Sequence, residues 1–162
     1  MTRSPASIAA VLAAFAVWAA LASLGPALSQ ALERTRPHAS LSPEMVVRIQ
    51  MEALGENDTP YADRGIEIAW RFASPDNKTF TGPLDRFKTM IHGAIFAPML
   101  NHKSVEYENL RVDGARAQLD VIVLTRENRY VGYRFGLSRQ KGPACVGCWM
   151  TDSVVPFEVT AI

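Results

Sequence analysis

Apolar and polar positions change rhythm twice along this chain of 162 residues. From Ile8 to Leu24 there is no alternation at all: 17 consecutive residues are apolar apart from Ser23, and eight of them are Ala. From Val46 to Ile91 apolar residues recur every three or four positions, the helical period, and from Val105 to Val155 they alternate by two, the strand period. A leader, a helical half and a strand half follow in that order. Helices grouped before an antiparallel meander predict an α+β domain with the helices on one face of the sheet.

Three helices are expected. Ser42 can cap the first and Pro43 suits its opening position, where the missing N–H costs nothing. Val46, Ile49, Ala53 and Leu54 form its apolar stripe, and Gly55 offers a left-handed stop. Asn57-Asp58-Thr59-Pro60 repeats this start for a second helix carrying Tyr61, Ile66, Ala69 and Phe72, with Ser74-Pro75 as its end. Thr81-Gly82-Pro83 opens a third, with Leu84, Phe87 and Ile91 along one side and Gly93 as the stop.

Four strands are expected, over Val105–Val112, Ala115–Leu124, Tyr130–Leu137 and Trp149–Val155. Asp113-Gly114 is a hairpin dipeptide. If it forms a two-residue turn, Val112 faces Ala115 and Tyr107 lies opposite Asp120. If Thr125 then closes on Tyr130, Asp120 faces Phe135 and Ile122 faces Tyr133. One sheet face would hold Tyr107, Asn109, Gln118, Asp120, Ile122, Leu124, Val131, Tyr133, Phe135 and Leu137. Leu110, Val112, Ala117, Leu119, Val121 and Val123 would pack on the other. An acid between two phenols on an apolar face is material for a small-molecule pocket. Desolvation there would raise the Asp120 carboxyl, with Tyr107 or Tyr133 as proton partner. The plainer reading puts Asp120 at a solvated rim or ties it to a Tyr hydroxyl. A bulge of one residue would overturn the whole face assignment.

No charged side chain lies between Arg3 and Glu33. Gly25-Pro26 breaks the apolar run, and Ala27, Ser29 and Ala31 supply small-x-small cleavage sites, the parts of a secretory signal peptide. The same run also reaches the low end of the length that spans a bilayer, ~17–25 residues. Residues 1–31 are therefore expected to be a signal peptide or, if uncleaved, an anchor through residues 8–24, followed by a polar linker over 32–40 and one domain over 41–159. The mature chain would be periplasmic or extracellular.

Charge narrows the partners. Removing residues 1–29 takes away Arg3 and no acid, so 17 basic residues become 16 against 16 acidic ones. A balanced chain offers no broad footprint for nucleic acid. There is no phosphate loop, no dinucleotide fingerprint and no nucleophile elbow, and no cofactor is expected. His92, beside Gly93, is expected to complement a helix C-terminus, and His102 to face solvent from a loop.

The two cysteines form Cys145-Val146-Gly147-Cys148 before the last strand. A β-turn holds its ends within ~7 Å, close enough for a disulfide, the simplest state in an exported chain. Covalent haem attachment would need His where Trp149 stands. Zinc would need two more close ligands, which His38, His92 and His102 do not supply. No helix follows Cys148 to activate a redox thiol. A structural bridge and a pair of inert thiols remain.

Gly65-Ile66, Arg71-Phe72-Ala73-Ser74-Pro75, Asn77, Thr81-Gly82-Pro83, Arg86-Phe87 and Cys148-Trp149-Met150-Thr151-Asp152 together resemble a family of uncharacterised domains of bacteria and plants. That family is similar to the nuclear transport factor two-like superfamily, with its ketosteroid isomerases, limonene epoxide hydrolases and SnoaL-like cyclases. The resemblance runs from Leu41 to Val155. It implies a curved antiparallel sheet wrapped on three helices as a cone around an apolar cavity. The isomerase relatives carry a Tyr on the first helix; Pro43–Leu54 has none, so no catalytic residue is carried over. Fold alone does not choose a function. Three readings follow: a non-catalytic module for a small apolar ligand or a protein partner, a cofactor-independent isomerase, lyase or hydrolase using Asp120, and a homodimerisation unit.

Overall fold

Two Ser-Pro pairs, not one, start helices in this protein. In the computed structural model, which describes residues 36–159, the Ser42 hydroxyl accepts from Met45 N at 3.1 Å and opens α1, Pro43–Gly55. Ser74 does the same for Asn77 N at 3.2 Å and opens α3, Pro75–Thr81. Between them lies α2, Arg64–Arg71, and after them α4, Leu84–Ile91, and a 3₁₀ turn, Ala97–Met99. The expected leader and its cleavage sites lie outside the described residues.

The helical half thus has four α-helices among the described residues rather than three. Ser74-Pro75 ends one helix and begins the next, because a serine cap and a proline at the first position suit a start as well as a stop. The second helix begins later than Asn57-Asp58-Thr59-Pro60 suggested. Asn57 holds a loop there: its side-chain oxygen accepts from Ile66 N at 3.1 Å and its backbone carbonyl from Gly65 N at 3.0 Å. Tyr61 stays outside the helix, exposed, and its hydroxyl donates to Glu67 at 3.0 Å. Gly55 is helical and not a left-handed stop; a side chain at that position would meet the His102 ring at 2.9 Å. His102 is accordingly half-buried, with Nδ1 2.9 Å from Met99 O, and does not face solvent as expected.

The strand half matches the expected order. β1 Ser104–Asp113, β2 Arg116–Leu124, β3 Tyr130–Arg139 and β4 Trp149–Phe157 form one antiparallel sheet in the order β1-β2-β3-β4. α1 packs on β1, β2 and β4. The core between the layers contains Val46, Val47, Met51 and Leu54 of α1 and Ile66 and Ile68 of α2, against Leu119, Val121, Val123, Tyr133 and Phe135 of the sheet. α1 and α2 approach so closely that a Cβ on Gly65 would lie 2.1 Å from Ala53 O.

Register departs from expectation in three places. The first hairpin turns at Gly114 and Ala115, with Asp113 paired to Arg116 and Gly114 at φ +55°, the place a type II′ turn gives glycine. In β1, Asn109 and Leu110 together oppose Leu119, a bulge with Asn109 in the left-handed region at φ +54°. The second hairpin closes Leu124 on Tyr130, not Thr125 on Tyr130, with Asn128 at φ +59° in its loop. Each of the last two shifts is one residue, and one residue exchanges sheet faces.

The free edge of β4 is partly covered. Residues 72–74 run beside it in parallel, with Ser74 N donating to Thr151 O at 2.8 Å and Thr151 N to Phe72 O at 2.9 Å. This pairing fixes the entry to α3 against Thr151.

Candidate ligand-binding cavity

The shifts in register divide the expected polar cluster. Tyr107 pairs with Val121, Tyr133 also with Val121, and Phe135 with Leu119, all on the face covered by helices. Gln118, Asp120 and Ile122 occupy the other face, opposite Arg111, Glu108 and Glu106 on β1 and Gly136, Arg134 and Gly132 on β3. Asp120 is therefore separated from both phenols. It accepts two hydrogen bonds from Arg134, Nε to Oδ1 at 2.7 Å and Nη2 to Oδ2 at 3.0 Å, and one from Asn109 Nδ2 at 3.2 Å. The Arg134 guanidinium, with the Asn109 amide, holds the carboxyl below its ordinary range and outweighs desolvation, the reverse of the rise expected. Asp120 is an ionised structural partner of Arg134.

The two tyrosines have structural surroundings of their own. Tyr133 is buried, donates to Ile95 O at 2.8 Å and stacks on Phe96 with centroids 6.4 Å apart. Tyr107 lies under Arg48, whose guanidinium carbon is 4.1 Å from its ring centre. Burial pushes both phenols up to about 12, so neither ionises near neutrality. His92 follows α4 as expected, and its Nε2 sits 2.7 Å from Asp63 Oδ1. Cys145 and Cys148 are joined by a disulfide with Cα atoms 5.6 Å apart, as the turn spacing allowed.

A cavity lies elsewhere, where all four helices and the 3₁₀ turn meet β4. It measures about 270 Å³. Its walls are mostly apolar: Ala69, Phe87, Ile91, Phe96 and Met99 contribute to them, and Phe80 stands at the rim with 86% of its surface exposed. Tyr133 backs this wall through Phe96. None of Tyr107, Asn109, Gln118, Asp120, Ile122, Tyr133 or Phe135 lines it. Gln118 lines a second, more open depression of about 420 Å³ between the β1–β2 hairpin and the β4 bulge.

Polar groups enter the cavity from two sides. Gln50 of α1, 4% exposed, donates through Nε2 to Val46 O at 3.2 Å and to Thr151 Oγ1 at 2.8 Å. Asn77 of α3 donates to Thr151 O at 3.0 Å. Thr151 is thus the point where α1, the 72–74 segment, α3 and β4 are tied together. Asp152, the extra residue of a β4 bulge opposite Gly136 and Leu137, is exposed and is, among the described residues, the one charged side chain lining the cavity. Ligand pockets have this character: a mostly apolar wall with a few placed polar groups.

The sequence exposes part of this site. Phe87 and Ile91 belong to an expected apolar stripe, whereas Gln50, Phe80 and Thr151 carry no role in the sequence pattern. Phe80 does leave a signal, because it is a large aromatic in the otherwise polar helix Pro75–Thr81. Gln50 leaves none, since a lone Gln beside an apolar stripe is equally at home in solvent. Among the described residues no helix is long and apolar enough to cross a membrane, and no three His, Cys, Asp or Glu side chains are grouped to hold a metal ion.

One family model matches residues 39–157 and is described as a Domain of unknown function (DUF4864). No curated protein and no solved structure matches the chain.

Proposed function

The chain belongs to this family of unknown function, and we propose that it is a non-catalytic module that binds a small apolar molecule in the cavity between its helices and β4. One observation carries the proposal: an apolar space of about 270 Å³ whose rim bears the exposed ring of Phe80. Phe80 extends the apolar wall to the cavity mouth, where a bound apolar molecule would cover its ring. In this reading the domain over 41–159 is a cone-like scaffold of the nuclear transport factor two-like kind, and the helices-then-meander order supports it. It acts outside the cytosol after its leader is removed. The Cys145–Cys148 bridge supports export, because such bonds persist in oxidising compartments.

Toluene is a suitable first probe. Ligand-detected NMR should show saturable binding to the purified domain, and Ala69→Leu, which fills the cavity, should abolish it while circular dichroism stays unchanged. Binding that persists in folded Ala69→Leu would place the ligand elsewhere and defeat the proposal. The N-terminal mass of protein recovered from the producing cell tests export; an intact residue 1 in a membrane fraction would replace cleavage by anchoring.

A homodimer is a second reading, favoured by the outer sheet face. Tyr130 and Val155 are exposed there beside half-buried Ile122, Leu124 and Phe157. Sedimentation at high micromolar concentration decides it, and a monomeric mass would end it.

A further inference from the structure

Resting on the cavity reading, we infer the chemical class of the ligand: an uncharged, compact apolar molecule with a hydroxyl at its buried end, received by Gln50 and Thr151. Gln50 is a buried amide with two donors and one acceptor. Both donors are committed, to Val46 O and Thr151 Oγ1. The bond to a backbone carbonyl also fixes which end of the amide is nitrogen, because an oxygen there would face another oxygen. The carbonyl oxygen Oε1 receives no donor from the described residues. It is not sealed in either: among those residues, Trp70 Nε1 is the one fully enclosed side-chain polar atom without a partner. Oε1 therefore borders open space, and the space Gln50 lines is the cavity.

Thr151 completes the receptor. Its Oγ1 accepts from Gln50, which leaves the hydroxyl proton to give. The pair thus presents one acceptor and one donor side by side. A ligand hydroxyl both gives and takes a proton and satisfies the two; an ether oxygen can only take, and a methyl group can do neither. Among the described residues no Lys, Arg or His lines the cavity, and its one charge is Asp152 in the exposed β4 bulge. A carboxylate or phosphate head would be desolvated there without a counter-charge, which excludes fatty acids and phosphate esters.

Volume sets the size. A dry cavity of about 150 Å³ accepts benzene. The present cavity, at about 270 Å³, has room for one ring with a short alkyl chain, or a branched alcohol of similar bulk. Simple alkylphenols and short alcohols are the class that fits.

The test compares 4-ethylphenol with its shape analogue 4-ethyltoluene by calorimetric titration of the purified domain. The phenol should bind about tenfold more tightly, the effect of one neutral hydrogen bond made in place of an unsatisfied acceptor. In Gln50→Met that preference should shrink to less than about threefold, because the phenol loses its acceptor and 4-ethyltoluene no longer strands one. Thr151→Val gives a second measurement should Gln50→Met fold poorly, and it too should reduce the preference. Equal affinities in the unaltered protein, a preference that survives both substitutions, or tighter binding of 4-ethylbenzoate would overturn the inference and leave the cavity reading standing. If neither ethyl compound binds, the cavity reading itself falls.

Discussion

Gln50 on α1 donates a 2.8 Å hydrogen bond to Thr151 Oγ1 on β4, joining residues 101 positions apart. Both side chains are buried, and each loses a protein partner if the other is removed. Gln50→Ala should therefore cost about 1–3 kcal/mol in urea unfolding, the penalty of a stranded buried polar group plus lost packing. The double substitution with Thr151→Val should cost less than the sum of the two singles. Strict additivity would show that the bond contributes nothing.

Acid should unfold the protein through its paired carboxyls. Asp120 is held low by Arg134, Asp58 by Asn101 and the Asp63 backbone, and Glu67 by Lys88. A carboxyl whose folded pKa lies below its unfolded value contributes stability above that unfolded value, roughly 3.9–4.3, and loses it as pH falls through the folded one. The midpoint of urea unfolding should stay level from pH 7 to about 5 with respect to these groups and drop below about 4. Asp120→Asn should make the acid limb shallower. An unchanged limb would mean that the Arg134 pair adds nothing to folding.

Gly65→Ala should be among the most damaging small substitutions. The added Cβ would overlap Ala53 O, a backbone atom held by α1, so the two helices must separate. A loss of about 3 kcal/mol or more is expected. Gly142→Ala is the control, since a methyl group there would meet nothing within 4 Å and its effect should be small.

Phe80→Ser separates stability from binding. With 86% of its surface in water, Phe80 contributes little to the core, and its loss should shift stability by no more than about 0.5 kcal/mol. Toluene binding should nevertheless weaken severalfold. A large loss of stability would recast Phe80 as part of the core.

The disulfide closes a loop of only four residues, for which chain entropy predicts about 2 kcal/mol of stabilisation. Cys145→Ser with Cys148→Ser should lower stability by that order while leaving the cavity able to bind toluene. Mass spectrometry after alkylation should count no free thiol before reduction and two after it.

Local chemistry was legible in the sequence. The serine cap at Ser42, the glycine of the first hairpin, the two-residue rhythm of four strands and the bridging distance of Cys145 and Cys148 each depend on a few adjacent residues. Such preferences act before any packing exists. Even so, Ser74-Pro75 shows their limit: a signal that both ends and starts helices hid α3, and with it Phe80.

Only the assembled protein decided what faces what. A strand's side chains alternate, so one extra residue at Asn109 and one fewer at the Thr125 end of the next hairpin carried Tyr107, Tyr133 and Phe135 under the helices and left Asp120 outside with Arg134. Asparagine tolerates the left-handed backbone that both irregularities use, but it does not demand it; the register formed buries Tyr133 and Phe135 together with Leu119, Val121 and Val123. The cavity belongs to the same class of fact. Gln50, Phe87, Phe96 and Thr151 are far apart in the chain and border one space because helices of these lengths leave a gap where they meet β4.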